Sequence, residues 1–181
     1  TIYGNLGNLY RDLKQTDKAM ECLQRAITLF ERDNQSARIA ECLSILGTLY
    51  ADTDQLPKSM VSYARALELA REMGQISTEG ILLGELGYLY GRMDDLDKAK
   101  HHLDNGERLL RSSDNRAGLV DVLFRRTYVA CLERDRTTAT TALEEAEAIA
   151  KDLGANESSE VIRELKRLNE MIAELDSNSA S

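Results

Sequence analysis

At 181 residues and a net charge of −8, the chain is long enough for one domain or a short array of repeats. Its acidity argues against nonspecific binding to nucleic acid or to anionic membranes, since both need a basic face. One proline, 5% aromatic residues and 30% charged residues predict an all-helical protein, without a strand that could carry a Gly-rich phosphate loop.

No stretch approaches the ~20 apolar residues of a membrane span, and no signal-peptide pattern is present. Cys22, Cys42 and Cys131 form no CxxC pair, which points to reduced thiols and a cytoplasmic setting rather than a disulfide framework.

In chain order, the first signal is Leu6-Gly7-Asn8-Leu9-Tyr10. It returns as Leu46-Gly47-Thr48-Leu49-Tyr50 and as Leu86-Gly87-Tyr88-Leu89-Tyr90, at a step of 40 residues. A fixed period of this size marks stacked repeats, none of which buries its apolar face alone. The spacing predicts four helical hairpins, about 1–34, 35–74, 75–114 and 115–153, then a capping helix over 154–176 and a disordered tail over 177–181. The chain begins at Thr1 with little sequence before the first block, so it is expected to be a fragment of a longer protein, entered partway along a helix.

In the second hairpin Ile39, Leu43, Leu46, Leu49 and Tyr50 share one helical face, Asp52 to Gln55 break it, and Met60, Tyr63, Ala66, Leu67 and Ala70 form a second stripe. Pro57 suits the first turn of that helix and Gly74 its end. The third hairpin repeats the plan, with Asp94 and Asp95 expected as N-terminal caps. The fourth departs from it, placing Arg126, Thr127 and Ala130 where Leu, Gly and Tyr stood. Its second helix persists through Ala139, Ala142, Leu143, Ala146 and Ala150, ended by Gly154. Val161, Leu165, Leu168, Ile172 and Leu175 then step by four and three, the pattern of a terminal helix with one apolar stripe and a wet back.

Leu-Gly-x-Leu-Tyr, followed on the second helix by the small residues Ala19, Ser59 and Ala99, resembles the tetratricopeptide repeat. Its long form is similar to the Leu-Gly-Asn repeats of spindle-orientation adaptors and to the repeat arms of bacterial multidomain regulators. The resemblance covers about residues 1–153 and implies an all-α fold, a right-handed α-solenoid of antiparallel helix pairs. It implies a non-enzymatic scaffold that binds a peptide or helical segment of a protein partner in its concave groove, within a larger bacterial signalling or regulatory protein.

Carried over in phase, the groove residues are Asn8, Arg11 and Asp12, then Glu41, Ser44, Thr48 and Asp52, then Gly84, Tyr88 and Arg92, and finally Phe124 and Tyr128. Asn8 matches an asparagine that in the family bonds the backbone of an extended peptide; that position is Thr48, Tyr88 and Tyr128 in the later repeats. The alternative is an intramolecular regulatory module packing on upstream domains, or a homo-oligomer formed through the terminal repeats.

Gly7, Gly47 and Gly87 each cost a helix about 1 kcal/mol relative to alanine, which a close approach of the second helix must offset. Gly80, Gly84, Gly87 and Gly91 form a stripe with two readings: close packing against neighbouring helices, or a smooth ligand floor bordered by Tyr88, Arg92 and Tyr128. His101 and His102 are the only histidines, and neighbours on a helix point about 100° apart, too far to share a metal easily. Asp94, Asp95 and Asp97 read as helix-start acids, and Arg125, Arg126, Arg134 and Arg136 as ion-pair partners rather than a nucleic-acid patch. No catalytic residue, cofactor site or metal site is expected.

Overall fold

A computed structural model of the chain describes residues 15–155 and 160–177. The first Leu-Gly block, with Asn8, Arg11 and Asp12, and residues 178–181 of the tail expected over 177–181 lie outside the described residues, while Ser177 ends the last helix. The described residues form eight helices and no strand: α1 Thr16–Arg32, α2 Ser36–Asp52, α3 Leu56–Glu72, α4 Ile76–Arg92, α5 Leu96–Ser112, α6 Arg116–Leu132, α7 Arg136–Asp152 and α8 Glu160–Ser177. Among them α2, α4 and α6 are first helices of hairpins; α1, α3, α5 and α7 are second helices.

Each helix from α1 to α7 is 17 residues long. The helix–turn unit therefore recurs at half the period of the Leu-Gly motif, because one turn is used seven times. Asn34, Asp54, Gly74, Asp94, Asp114, Arg134 and Gly154 all have φ between 51° and 82°. The residue after each donates its N–H to the carbonyl five residues back, as from Gln35 to Phe30 (2.9 Å), Asp95 to Tyr90 (2.9 Å) and Ala155 to Ala150 (3.0 Å). This Schellman closure satisfies carbonyls that a helix end otherwise leaves open. Asn, Asp and Gly tolerate left-handed backbone, and Arg134 is the exception among the seven.

Two sequence expectations shift accordingly. Asp94 is the left-handed residue of its turn and not a cap, while Asp95 caps α5 by accepting the Lys98 N–H at 3.3 Å. Residues 153–155, expected to open the terminal helix at 154, belong to the seventh turn, and that helix is described over Glu160–Ser177.

The chain divides into two compact units, 1–78 and 79–181, within the first turn of α4. In the first, α2 and α3 form a hairpin and α1 packs on α2, burying Ala19, Leu23, Ala26, Leu46, Tyr63 and Ala66. In the second, α4 lies against α5 and α6, α6 pairs with α7, and α8 covers both α6 and α7. Leu103, Leu110, Val122, Leu123 and Leu168 fill that core, with Leu165 and Ile172 completing the buried stripe of α8.

The glycine stripe of α4 resolves into two tracks. Gly80 and Gly87 face Leu110 and Leu103 of α5, while Gly84 and Gly91 face Val122 and Val129 of α6. A Cβ at any of the four would fall 2.5–2.8 Å from those side chains, closer than such contacts allow. The stripe is close packing on two sides, not a ligand floor.

In the first unit the space above Gly47 is taken by the Tyr63 ring, 2.6 Å from where a Cβ would lie. Ser59, the small residue expected to face it, instead donates its hydroxyl to the Gly47 carbonyl at 2.7 Å. Thr127 holds the same phase in the fourth hairpin, fully buried and bonded back to the Leu123 carbonyl at 3.0 Å.

Candidate functional site

In the first unit the expected groove residues fall on one stripe of α2. Glu41 and Asp52 are exposed. Between them the hydroxyls are already engaged: Ser44 Oγ donates to the Ala40 carbonyl at 2.9 Å, and Thr48 Oγ1 lies 3.2 Å from the Ser44 carbonyl and 2.9 Å from the Tyr63 hydroxyl. This stripe presents acids at its ends and internally satisfied hydroxyls at its centre.

In the second unit the stripe has a different chemistry. Tyr88 and Tyr128, at the same phase of adjacent first helices, meet edge-to-face with ring centroids 5.0 Å apart. The Arg92 guanidinium sits 5.7 Å over the Tyr88 ring, within cation–π range. All three side chains are half-buried. Burial pushes the Tyr128 hydroxyl above its ordinary pKa, helped by Tyr88 and opposed by Arg92 and Arg167, so it remains a neutral donor at physiological pH.

Two expected lining residues are not exposed. Gly84 is buried under Val122, and Phe124 is only 6% exposed, in the core shared by α6, α7 and α8. Both are drawn inward because α4 and α6 approach closely where Gly84 lacks a side chain.

Two neighbours of the tyrosines escaped the phase argument. Glu85 and Arg125 form a part-buried ion pair between α4 and α6, with Arg125 also donating to the Asp121 carbonyl at 2.9 Å. They stand 40 residues apart, as Tyr88 and Tyr128 do, so same-phase pairing across first helices was the available signal. Arg167 comes from α8, whose repeat phase is weak. Its own burial opposes its charge most strongly, yet Glu164 and then Tyr88 hold its pKa above the ordinary arginine value.

The arginine cluster resolves largely into ion pairs. Arg126 donates to Asp104 at 2.7 Å and to Glu107 at 2.9 Å, while Arg111 reaches Glu107 at 2.8 Å and Glu145 at 2.9 Å. His102 stacks on Tyr90 at 5.1 Å, and His101 is exposed beside Asn105. Among the described residues no group of three or more His, Cys, Asp or Glu could hold a metal ion. Cys22, Cys42 and Cys131 are free thiols; burial pushes Cys42 up to about 11 and raises Cys131, so neither of these two is a thiolate at neutral pH. No described helix is long and apolar enough to cross a membrane.

Residues 1–72 match the tetratricopeptide repeat family. No curated protein matches the sequence. Among solved structures, apo RapI aligns over 98% of this chain and 51% of its own, with a TM-score of 0.77 and 19% identity. Aspartyl phosphate phosphatase F from Bacillus subtilis aligns over 96% and 47%, with a TM-score of 0.79 and 16% identity. A candidate kinesin light chain from Podosopora anserina, built of nearly identical TPR-like repeats, aligns over 98% and 94%, with a TM-score of 0.65 and 12% identity.

The chain thus spans about half the length of RapI and of the phosphatase. At these identities the likeness is one of fold. The family match over residues 1–72 and the helical hairpins of the same kind in the residues that follow give the chain the fold of a tetratricopeptide-repeat array.

Proposed function

We propose that this interaction scaffold holds a peptide or helical segment of a protein partner against the first-helix face of the second unit, with Tyr88, Tyr128 and Arg92 as anchors. The observation that carries the reading is the half-buried Tyr88–Tyr128 pair with Arg92 over one ring. Tyrosine and arginine are the residue types that most often concentrate binding energy, and two rigid rings already in contact lose little freedom when a guest arrives. The α2 stripe contributes less in this reading, because its hydroxyls are engaged internally and its acids serve a rim. A place within a larger bacterial regulatory protein is supported by the half-length likeness to RapI and to the Bacillus subtilis phosphatase.

The test is to select peptides from a random display library on the intact chain and measure the selected sequences by fluorescence anisotropy. Tyr88→Ala and Arg92→Ala are expected to weaken them by about tenfold or more while the chain stays folded, as read by its helical circular dichroism. Arg108→Ala, an exposed change on α5, is expected to leave binding unchanged. Peptides indifferent to Tyr88 and Arg92 would refute the assignment.

Arg167 of α8 lies close enough to Tyr88 for the phenol to favour its charge, so α8 borders the proposed face. If α8 competes with the guest, Arg167→Ala tightens peptide binding.

A further inference from the structure

Although the chain carries a net charge of −8, the tyrosine face of the second unit is basic, and its basicity comes from two separate elements. Arg92 belongs to α4 and holds its guanidinium 5.7 Å over the Tyr88 ring. Arg167 belongs to α8. Burial raises the Tyr128 hydroxyl, and Arg92 and Arg167 both oppose that rise, while Tyr88 favours the charge on Arg167. Each guanidinium is therefore within electrostatic reach of the same pair of rings.

Two carboxylates near this cluster are committed. Glu85 pairs with Arg125 about one turn before the tyrosines, and Glu164 bonds Arg167 at 2.8 Å along α8, leaving the Arg167 side chain 49% exposed. One turn past Tyr128, Leu132 is 41% exposed. Its Cδ1 and the Tyr128 Cε1 lie 3.8 and 3.9 Å from the position a Cβ would take on Gly91. An exposed apolar ledge thus adjoins the residue that precedes Arg92. In the first unit Thr48 and Asp52 stand at the phases of Tyr88 and Arg92, so the positive charge is a property of this unit and not of the repeat.

A guanidinium lying on an aromatic face keeps its N–H groups at the edge, and a neutral phenol beside it can also donate. Donors arriving from two elements suit a group that only accepts and has two oxygens, which is a carboxylate. A cationic or wholly apolar guest would desolvate both guanidiniums without compensation.

We propose, resting on the reading of this face as the guest's seat, that the guest segment carries an internal Asp or Glu which seats on Arg92 and Arg167 beside the tyrosine pair, with an apolar neighbour on Leu132.

The probes are peptides selected from the random display library on the intact chain. They are resynthesised with acetylated and amidated ends, so that only side chains carry charge, and each Asp or Glu is exchanged for Asn or Gln. Fluorescence anisotropy is expected to find one acid per peptide whose exchange weakens binding by about five- to tenfold. Arg167→Gln should remove most of that difference and leave the amide form's affinity unchanged, a coupling that general structural damage would not produce. Glu164→Gln, which releases Arg167 from its bridge, should tighten the acidic form by about twofold and not the amide form.

Peptides that depend on Tyr88 yet bind equally well as acid and amide would overturn this inference and leave the peptide-binding reading standing. Peptides indifferent to Tyr88, or no binder at all, would remove both. Affinity lost on amidation would assign the cluster to a chain-terminal carboxylate, and tighter binding by the Arg167→Gln chain would show α8 competing with the guest; either result overturns the internal acid.

Discussion

In the first unit α1, α2 and α3 start at Gln15, Gln35 and Gln55, and none of these side chains caps its helix; in the second, Asp95, Asn115 and Asp135 each accept a backbone N–H three residues on. The same divergence runs through the packing. Gly47 makes room for a tyrosine ring, whereas the added Cβ at Gly106 of α5 would meet the Gly80 carbonyl at 2.7 Å and the Gly84 nitrogen at 3.2 Å. It runs through the charges too: Glu31 and Arg65 form one exposed bridge, while Arg111 and Arg126 are tied together through Glu107.

Other contacts are kept. Lys58 lies 5.5 Å over Tyr50 and bonds Gln55, and at equivalent positions Lys98 lies 5.3 Å over Tyr90 and bonds Asp95. The hairpin therefore requires a left-handed turn residue and a close helix approach, and it accepts several chemistries for each. The two units should consequently fail for different reasons.

The sharpest test of that contrast is alanine at the two closest approaches. At Gly106 the obstruction is backbone of α4, which no rotamer change can relieve, so Gly106→Ala is expected to cost about 3 kcal/mol despite its gain in helix propensity. At Gly47 the obstruction is a ring that can tilt, although Tyr63 is 2% exposed; about 1–2 kcal/mol is expected for Gly47→Ala. Native-state hydrogen exchange reads the units separately. Equal losses in both would remove the distinction between backbone and ring packing.

Charge deletion ranks next. Arg126, 21% exposed, serves Asp104 and Glu107 together, so Arg126→Ala leaves a half-buried carboxylate short of a partner and should cost about 1–2 kcal/mol. Arg65, 48% exposed against Glu31, should cost at most about 0.5 kcal/mol as Arg65→Ala. Raising salt should shrink the second loss more than the first. Urea titrations of both variants in low and high salt check the pair.

How far the sequence carried each region follows from where its signal lies. Periodicity placed the hairpins because Leu46, Leu86 and their neighbours must be buried at helical spacing whatever surrounds them. The same phase argument reached Tyr88, Tyr128 and Arg92, which the structure brings together. It misassigned Gly84 and Phe124, since whether a first-helix residue faces solvent or its neighbour depends on a helix approach that spacing does not fix. The twenty-residue turn was hidden because Asn34, Asp54, Gly74 and Arg134 share a backbone conformation and not a side chain. Arg167 could not be placed from a terminal segment lacking the Leu-Gly block.

That shared conformation makes a smaller test. Arg134 holds φ at 58° with a Cβ that disfavours it, while Asn34 holds 52° with a side chain that tolerates it. Arg134→Gly is expected to stabilise the protein by about 0.5–1 kcal/mol, the steric relief exceeding the extra freedom of the unfolded chain. Asn34→Gly should change it by a few tenths at most. A loss at Arg134 comparable to that of an ordinary helix glycine would show that its side chain outweighs its backbone cost.

The mildest contrast is acid response at the helix starts. The Lys98 hydrogen bond holds Asp95 below its ordinary value of 3.8, and the Thr138 hydroxyl does the same for Asp135. A carboxyl whose folded pKa is depressed stabilises the fold above its unfolded value and loses that contribution as pH falls through the folded one. Exchange of the Lys98 and Thr138 amides should therefore quicken below about pH 4. The Gly118 amide, capped at 2.9 Å by the neutral Asn115, supplies the reference within the same unit, and the glutamine starts of α2 and α3 supply it in the other. Asp95→Gln and Asp135→Gln should abolish the difference by giving the second unit the first unit's starts. Persistence of the acid response in both variants would show that it does not arise at the helix starts.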